Sequence, residues 1–490
     1  MAARTSPGWP VLAALVAVLV HAGSLRNGFV LDDVQLVEHN QDIASLSNVF
    51  GLFALPYWNV AGEHYGLYRP LTMASFAINR ALSGPGPFGF HLVNVLLHGG
   101  VAALAWLALR NAGTRYGTAL IGSLLFATLP IHTEVVANVA GRAELLAALF
   151  VLGSWLAHRR ERPLLAIPLY LAAILSKEGA ILAPLLFFAD DALREDRRMT
   201  RRGALLFGYG AAAAVMLVLR TAALGGHQSA AATIPLDNPA AAAGFGPRIA
   251  TAAWVQLTYA LLCVFPRSLV SDYSFDAIPV ARSFGDPRAL LGLLFVTGVG
   301  LAAAWGFKRS RPLALAAVLW IVFFLPSSNL LFATGTIMAE RLAYLPSLGV
   351  CLAAGHLGAA AATGRLRRVA VVTLAGALIV AYSARTAGRI PDWKSNLTLS
   401  LADVATSPRS AKLQAGAGMF LAEAGRSDEA EAHLRRALDI DPEYAQMHYN
   451  LAVLLLRRGA RDEGEAHLRR AIELAPGNPL PQRLLDQLRR

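Results

Sequence analysis

Eleven apolar segments separated by short basic loops constrain this chain more than any other feature. A helix needs about 20 apolar residues to cross a bilayer, and several of the segments are shorter than that. They lie near residues 10–25, 91–109, 117–131, 139–157, 163–176, 179–192, 203–222, 288–306, 313–326, 339–360 and 368–385. Only 16% of the residues are charged, against roughly 25% in soluble proteins. The sequence therefore predicts an all-α, polytopic membrane protein of about eleven spans.

Basic residues cluster in alternate loops. The clusters lie at 110–115, 158–162, 194–202, 308–311 and 365–368. The positive-inside rule places all five in the cytoplasm, so the net charge of +12 is no sign of a nucleic-acid partner. By parity, the first long loop (26–90), the later outward turns and everything after about 386 lie outside. The apolar stretch 252–265 would reverse this order if it crossed, and we interpret it as re-entrant.

Two adjacent carboxylates, Asp32 and Asp33, follow directly on the first apolar segment. Neighbours on an extended segment point to opposite sides, so one carboxylate can face a cavity while backbone donors hold the other. The simpler interpretation is the start of a solvated loop. Charged residues beside a membrane span are costly unless they serve a purpose, which makes this pair the first candidate for chemistry.

Further polar residues fall at the same ends of the predicted spans. Arg341, Lys177 and Arg142 are candidates to bind a phosphate, because fixed cations suit that charge. The supporting candidates for an outward cavity are Glu134, Glu144, Glu178, Arg69 and His91. For Arg142 and Glu144, a structural ion pair between helices explains the pattern equally well. For Lys177–Glu178, snorkelling at the interface is the alternative and is less favoured, because both residues lie outward on the same side of the cavity.

Metal and cysteine chemistry find little support in the sequence. His91 and His98 are seven residues apart, a spacing that favours hydrogen-bonded histidines over a metal pair. No protein metal site is predicted. Whether the reaction requires a divalent cation is left open. Cys263 and Cys351 both lie in apolar surroundings, which predicts buried free thiols.

An acidic loop and cations facing one side suggest transfer of a sugar from a lipid-linked phosphate. The carboxylate suits a general base that activates an acceptor hydroxyl. A fixed cation would stabilise the charge that grows on the departing phosphate. Transfer in one displacement would invert the sugar carbon. Since the chain has no Gly-rich nucleotide loop, a nucleotide-sugar donor is disfavoured.

The C-terminal part repeats with a period of 34 residues. The motif HLRRA occurs at 433–437 and again at 467–471, and Gly425 and Gly459 share the spacing. This is the tetratricopeptide period. We predict a membrane domain over 1–390, a linker over 391–408, repeats over 409–442 and 443–476, and a cap over 477–490. Because three repeats are usually needed, flanking segments would cap the stack or the repeats would dock on the membrane part. Such stacks hold peptides or partner proteins.

Several motifs resemble the transmembrane and tetratricopeptide repeat-containing (TMTC) family. They are GFVLDD (28–33), YRPLT (68–72), FGFHLVNVLLH (88–98), PIHTE (130–134), GRAELL (141–146), SKE (176–178), LVSDYS (269–274), AERLAYLPS (339–347) and DW (392–393). The resemblance implies a GT-C-type fold and transfer of mannose from a dolichyl- or polyprenyl-phosphate donor to protein Ser/Thr hydroxyls. It also implies that Asp32 and Asp33 are catalytic. The family's better-known members carry more repeats, which leaves the protein acceptor open.

Composition and topology also bear on location and on the competing functions. High Ala and Arg content suggests a bacterial inner-membrane protein with its repeats in the periplasm; in a eukaryote the endoplasmic reticulum membrane would take its place. Two alternatives to an enzyme are a non-catalytic membrane scaffold that recruits proteins and a transporter of lipid-linked sugars. The intact acidic pair argues against the scaffold, and the lack of two related halves argues against the transporter.

Overall fold

The computed structural model describes residues 8–59, 66–194, 201–225 and 236–489, and within these ranges the chain forms helices and no strands. The membrane part contains α1 Gly8–His21, α2 Pro70–Ser83, α3 Pro87–Asn111, α4 Tyr116–Thr128, α5 Thr133–Ala137, α6 Arg142–Arg159, α7 Pro163–Ser176, α8 Ala183–Ala192, α9 Arg202–Ala223, α10 Pro239–Ala242, α11 Phe245–Val264, α12 Pro287–Arg309, α13 Arg311–Phe324, α14 Ser347–Ala361 and α15 Arg365–Arg389. The C-terminal part contains α16 Asn396–Thr406, α17 Ala411–Glu423, α18 Ser427–Ile440, α19 Ala445–Arg457, α20 Arg461–Leu474 and α21 Pro479–Leu488. The all-α prediction is confirmed.

Fewer helices can cross a bilayer by length than the eleven segments predicted. Among the described residues, six are long and apolar enough, or seven if the bent pair Tyr116–Thr128 and Pro130–Ala137 forms one span. Three further predicted spans are apolar helices of 10–17 residues: Pro163–Ser176, Arg311–Ser327 and Ser347–Ala361. At 1.5 Å per residue these fall short of a core of about 30 Å. The stretch 252–265, apart from its last residue, belongs to a longer helix, the 20-residue α11 that ends at Val264.

Helix α3 lies at the centre of the bundle and packs against α1, α4 and α6. Its Trp106 is fully buried with Phe126 of α4 and Trp155 of α6. Large apolar side chains such as Leu294 and Leu301 on α12 are instead exposed. An apolar exterior around a packed interior is expected of helices that face lipid.

The C-terminal helices form two antiparallel hairpins, α17–α18 and α19–α20. Gly425 and Gly459 follow the first helix of each hairpin with φ of +77° and +82°, a left-handed conformation in which a Cβ is unfavourable. The period of 34 holds in the core, where Leu434 and Leu468 are buried alike. The tetratricopeptide prediction is thus confirmed, with α16 packed on α17 and α21 on α20.

The repeats are packed directly against the membrane part. Val404, Leu413 and Ala417 belong to the same hydrophobic core as the bundle. The residues predicted as a linker, 391–408, contain most of a short turn (Ile390–Lys394) and the whole of α16. Two expectations that the sequence left open, capping and docking, are therefore both met by this segment.

Candidate active site

The acidic loop, residues 27–33, follows α1 and is held from two sides. His91 on α3 donates Nε2–H to the carbonyl of Gly28 (3.2 Å). The amide of Gly28 donates to the carbonyl of Lys394 (3.0 Å). Asp32 and Asp33 lie on a helical turn that continues into Val34–Glu38, not on an extended segment as we expected. The turn follows Leu31, whose φ of +50° is unusual for a bulky residue.

Asp33 is fully buried and bound by backbone amides. Its Oδ2 accepts from Val139 N (3.0 Å) and Val30 N (3.4 Å), and its Oδ1 accepts from Ala140 N (2.6 Å). Burial raises the pKa of the Asp33 carboxyl to about 7, and the three amide donors oppose that rise. Asp33 therefore ties the acidic loop to the start of α6, as predicted for one carboxylate of the pair.

Asp32 has a different environment. Its side chain is only partly buried and accepts no hydrogen bond from the described residues. It lies close enough to Arg341 and Glu134 to interact with both electrostatically. A carboxylate with free lone pairs beside a cation is available to accept a proton.

Arg341 lies on the short turn Glu340–Ala343 and is anchored by Glu134. Glu134 accepts from Arg341 Nη1 (2.5 Å) and from Arg341 N (2.8 Å). The Arg341 side chain is 38% exposed and that of Glu134 only 2%. Within the described ranges its Nε and Nη2 have no acceptor, so one edge of the guanidinium is free to bind an anion bidentately.

Two further ion pairs lie beside Arg341. Lys177 pairs with Glu144, and Arg69 Nε pairs with Glu178 Oε2 (2.9 Å). Glu178 also accepts from the amide of Tyr68 (2.7 Å). Electrostatic interactions connect Lys177 with Arg69 and Arg341. We call Asp32, Glu134, Arg341, Lys177, Glu144, Arg69 and Glu178 the polar cluster. Its three cations each have a carboxylate partner, and Asp32 is the additional anion.

Arg142 lies outside the polar cluster. Its guanidinium is fully buried and donates to Asn94 Oδ1 (2.9 Å), Asn79 Oδ1 (2.7 Å) and the Phe90 carbonyl (2.9 Å). The ion pair with Glu144 that the sequence left open is not formed, since Glu144 pairs with Lys177. Glu134 and Arg142 lie on separate helices, because α5 ends at Ala137 and α6 begins at Arg142.

The Arg142 contacts lead back to the acidic loop. Asn94 accepts from Arg142 and donates Nδ2–H to the carbonyls of Asn138 (3.0 Å) and Val139 (3.3 Å). The neighbouring amides of Val139 and Ala140 bind Asp33. Arg142 and His91 therefore support the acidic loop, and neither side chain forms a hydrogen bond with a member of the polar cluster in the described ranges.

Histidines and cysteines have structural surroundings. His98 hydrogen-bonds Tyr344 Oη (2.7 Å) and the Ala127 carbonyl (3.2 Å). Cys263 and Cys351 are buried and free. Within the described parts of the chain, no three His, Cys, Asp or Glu side chains come together in a way that could hold a metal ion.

Sequence reasoning missed three residues that shape the site. Asn94 lies within the motif FGFHLVNVLLH, where most of its neighbours are apolar. Asn396 and Asp403 lie in the predicted linker. Asn396 Oδ1 accepts from the amide of Leu31 (2.8 Å), 365 residues away. No local pattern signals such a contact.

Comparison with known proteins identifies the family. The family model "Protein O-mannosyl-transferase TMTC, DUF1736" matches residues 227–300, and a tetratricopeptide model matches 421–488. The relative "Protein O-mannosyl-transferase TMTC4" from Homo sapiens is 31% identical over 494 residues, which cover 86% of this chain and 65% of that protein. The chain belongs to the TMTC family. The resemblance of the motifs is thereby confirmed.

Other TMTC relatives align over a similar range. "Protein O-mannosyl-transferase F38B6.6" from Caenorhabditis elegans is 29% identical over 88% of this chain and 62% of its own length. "Protein O-mannosyl-transferase TMTC3" from Homo sapiens is 27% identical over 89% of this chain and 52% of its own length. This chain thus spans about half to two thirds of these curated TMTC proteins. No solved structure matches it.

Proposed function

We propose that the protein is a membrane glycosyltransferase that moves a sugar, mannose by analogy with the names of its relatives, to Ser/Thr hydroxyls of a protein. The donor would be a polyprenyl- or dolichyl-phosphate sugar. One observation carries the proposal: among the described residues, Asp32 is the carboxylate of the polar cluster without a hydrogen-bond or ion-pair partner, and it lies close enough to Arg341 to interact with it electrostatically.

The proposed step is a single displacement. Asp32 accepts the proton of the acceptor hydroxyl, while the hydroxyl oxygen forms a bond to the anomeric carbon from the face opposite the phosphate. The bond between that carbon and the phosphate oxygen breaks, and the phosphate leaves with the electron pair. Arg341, with Lys177 nearby, stabilises the charge on the departing phosphate. The configuration at the anomeric carbon is inverted.

The other proposed roles follow from burial. Asp33, Arg142 and His91 maintain the position of the acidic loop, and Glu134, Glu144 and Glu178 orient the cations. The repeats would hold the acceptor protein or peptide. We further propose a bacterial inner membrane, with the acidic loop and the repeats both on the periplasmic side. The hydrogen bond between Asn396 of α16 and Leu31 of the acidic loop supports placing both on one side.

Sugar transfer from a polyprenyl-phosphate donor tests the proposal. We expect Asp32→Asn to lower turnover by about 10²–10⁴-fold, the range for removal of a general base. Its folding should be retained, because Asp32 is partly exposed and forms no hydrogen bond with the residues that the structure describes. Unchanged transfer by Asp32→Asn would contradict the enzymatic function and favour a scaffold or transporter.

A further inference from the structure

Helix α16, the first helix after the membrane part, contacts the acidic loop and a second loop that leads to the turn of Arg341. At its first residue, Asn396 accepts the amide of Leu31 in the acidic loop (2.8 Å). Near its other end, Asp403 is fully buried and accepts from Ser271 N (2.8 Å) and Ser271 Oγ (2.5 Å). One short helix therefore reaches two loops that are 240 residues apart in sequence.

The acidic-loop contact acts on a strained residue. Leu31 has a left-handed backbone conformation, with φ of +50°, which a bulky residue adopts only when its surroundings impose it. The Asn396 hydrogen bond supplies one such constraint immediately before Asp32. Beneath it, Val30 packs with Trp393 and Leu399 in a small buried cluster. A Cβ on Gly28 would lie 3.1 Å from the Lys394 carbonyl, which shows how closely the two backbones approach.

The second contact leads to Arg341. Ser271 follows Val270, whose amide donates to Glu340 Oε1 (2.6 Å). Tyr273 Oη donates to the same oxygen (2.8 Å). Glu340 immediately precedes Arg341. On the side of α16, Asp403 also accepts from Arg389 Nη2 (2.5 Å), which fixes the helix to the end of α15.

The position of α16 is itself determined locally. Ser395 and Thr398 form a capping box at its start, with Thr398 N donating to Ser395 Oγ (3.2 Å) and Ser395 N to Thr398 Oγ1 (3.0 Å). This arrangement defines where the helix begins and hence the direction of Asn396. The repeats stack directly on α16.

We propose that α16 sets the position of Asp32 relative to Arg341, so that Asn396 is a positioning residue of the transfer reaction and the repeats are mechanically coupled to the site. The inference rests on the proposed function of Asp32 and Arg341. It assigns the start of the C-terminal part to the catalytic unit, in place of a tether between two independent modules.

Three variants of the full chain test this role. Asn396→Ala removes the acceptor for Leu31 N, Asn396→Asp keeps an oxygen in its place, and Asn478→Ala is the control. Asn478 Oδ1 likewise accepts a backbone amide, that of Leu480 (3.1 Å), at the start of the last helix and away from the site. Thermal unfolding of each variant reports on folding.

Hydrogen–deuterium exchange of residues 28–36 tests the contact without any activity assay. Exchange should rise in Asn396→Ala and stay at the wild-type level in Asn396→Asp and Asn478→Ala. Asp403→Asn should raise exchange in residues 268–274 in the same way. Wild-type exchange of the acidic loop in Asn396→Ala would overturn the proposal.

Kinetics test the consequence for chemistry. Because small displacements of reacting groups are costly, we expect kcat of Asn396→Ala to fall about tenfold with donor KM unchanged, and Asn396→Asp to recover most of it. Wild-type kcat in Asn396→Ala, with Asp32→Asn inactive, would overturn the positioning role. Full activity of Asp32→Asn would instead overturn the proposed function, while exchange would still decide whether α16 holds the loop.

Discussion

The two ends of α6 carry similar charged residues in different states of pairing. At its start lies the polar cluster, where each cation has one carboxylate partner, Arg341 keeps a free edge and Asp32 has no hydrogen-bond partner among the described residues. At its end lies Asp190, fully buried, which pairs with Arg159, Arg311 (2.7 Å) and Trp155 Nε1 (3.0 Å). The 18 residues of α6 separate them by about 26 Å.

The difference teaches how to interpret charges inside a helical bundle. A buried carboxylate whose oxygens are all bound braces the helices around it, here α6, α8 and α13. A charge that keeps unbound atoms facing an opening can bind or react. Both sets look alike in sequence, since each consists of Arg and Asp or Glu at the ends of apolar segments.

The largest expected effect is a contrast between variants at the two ends of α6. Asp190→Ala would leave Arg159 and Arg311 without their carboxylate and should lower the free energy of unfolding by about 3–5 kcal/mol. The folded fraction should retain normal turnover. Asp32→Ala should do the reverse, with turnover lost and stability kept. Chemical denaturation in detergent and a transfer assay on both variants give the comparison, which fails if the two variants behave alike.

A smaller effect concerns the free edge of Arg341. Arg341→Lys keeps a positive charge for Glu134 but loses the planar fork that suits a phosphate. We expect kcat/KM for the lipid-linked donor to fall about tenfold, with little change in acceptor KM. Arg311→Lys at the Asp190 end is the matched control and should keep donor kinetics. Equal donor kinetics in wild type and Arg341→Lys would remove Arg341 from the phosphate site.

The pH dependence of stability should report on Asp33. Its folded pKa of about 7 lies above its ordinary 3.8, so the folded protein holds this proton more tightly than the unfolded chain. The contribution of Asp33 to stability is complete below about pH 4 and is lost as the pH rises through about 7. Asp33→Asn should flatten this part of the profile. Denaturation at about pH 5 and about pH 8 measures it, and identical slopes for both proteins would contradict the assignment.

The smallest effect is expected where charges are most exposed. Lys412 on α17 pairs with Asp237 (2.7 Å) and Asp272 (3.2 Å) between the repeats and the membrane part, but its side chain is 41% exposed. Such pairs contribute about 0–1 kcal/mol. Lys412→Ala should therefore lower stability by less than about 1 kcal/mol and leave turnover unchanged. If Lys412→Ala lowers the free energy of unfolding more than Asn396→Ala does, then α17 and not α16 makes the main contact between the repeats and the membrane part.

Much of the fold was predictable because its signals are local. Apolar segments, basic loops and the period of 34 residues each depend on neighbours in sequence, and they predicted the helices and the repeats correctly. The number of spans was not predictable in the same way. Hydropathy cannot show where a helix begins and ends, and short helices such as α7 and α14 are packed within a bundle that accommodates them.

The candidate site was also predictable only where its signals are local. Asp32, Asp33, Arg341, Lys177 and Arg69 were recognisable as charges at the ends of apolar segments, and they remain predictions of function. Their pairing was not recognisable. That Lys177 pairs with Glu144 while Arg142 binds neutral oxygens depends on how α2, α3, α6 and α7 pack together.

The sequence alone determined that this chain is a helical membrane protein with tetratricopeptide repeats and an acidic pair after its first span, because composition and periodicity suffice for those properties. The tertiary structure alone decided that Asp33 is bound by amides while Asp32 has no hydrogen-bond partner in the described part of the chain. It also decided that α16 connects the acidic loop, through Ser271 and Val270, with the turn of Arg341. Hydrogen bonds between residues hundreds of positions apart, such as Leu31 and Asn396, form only when the whole bundle has packed.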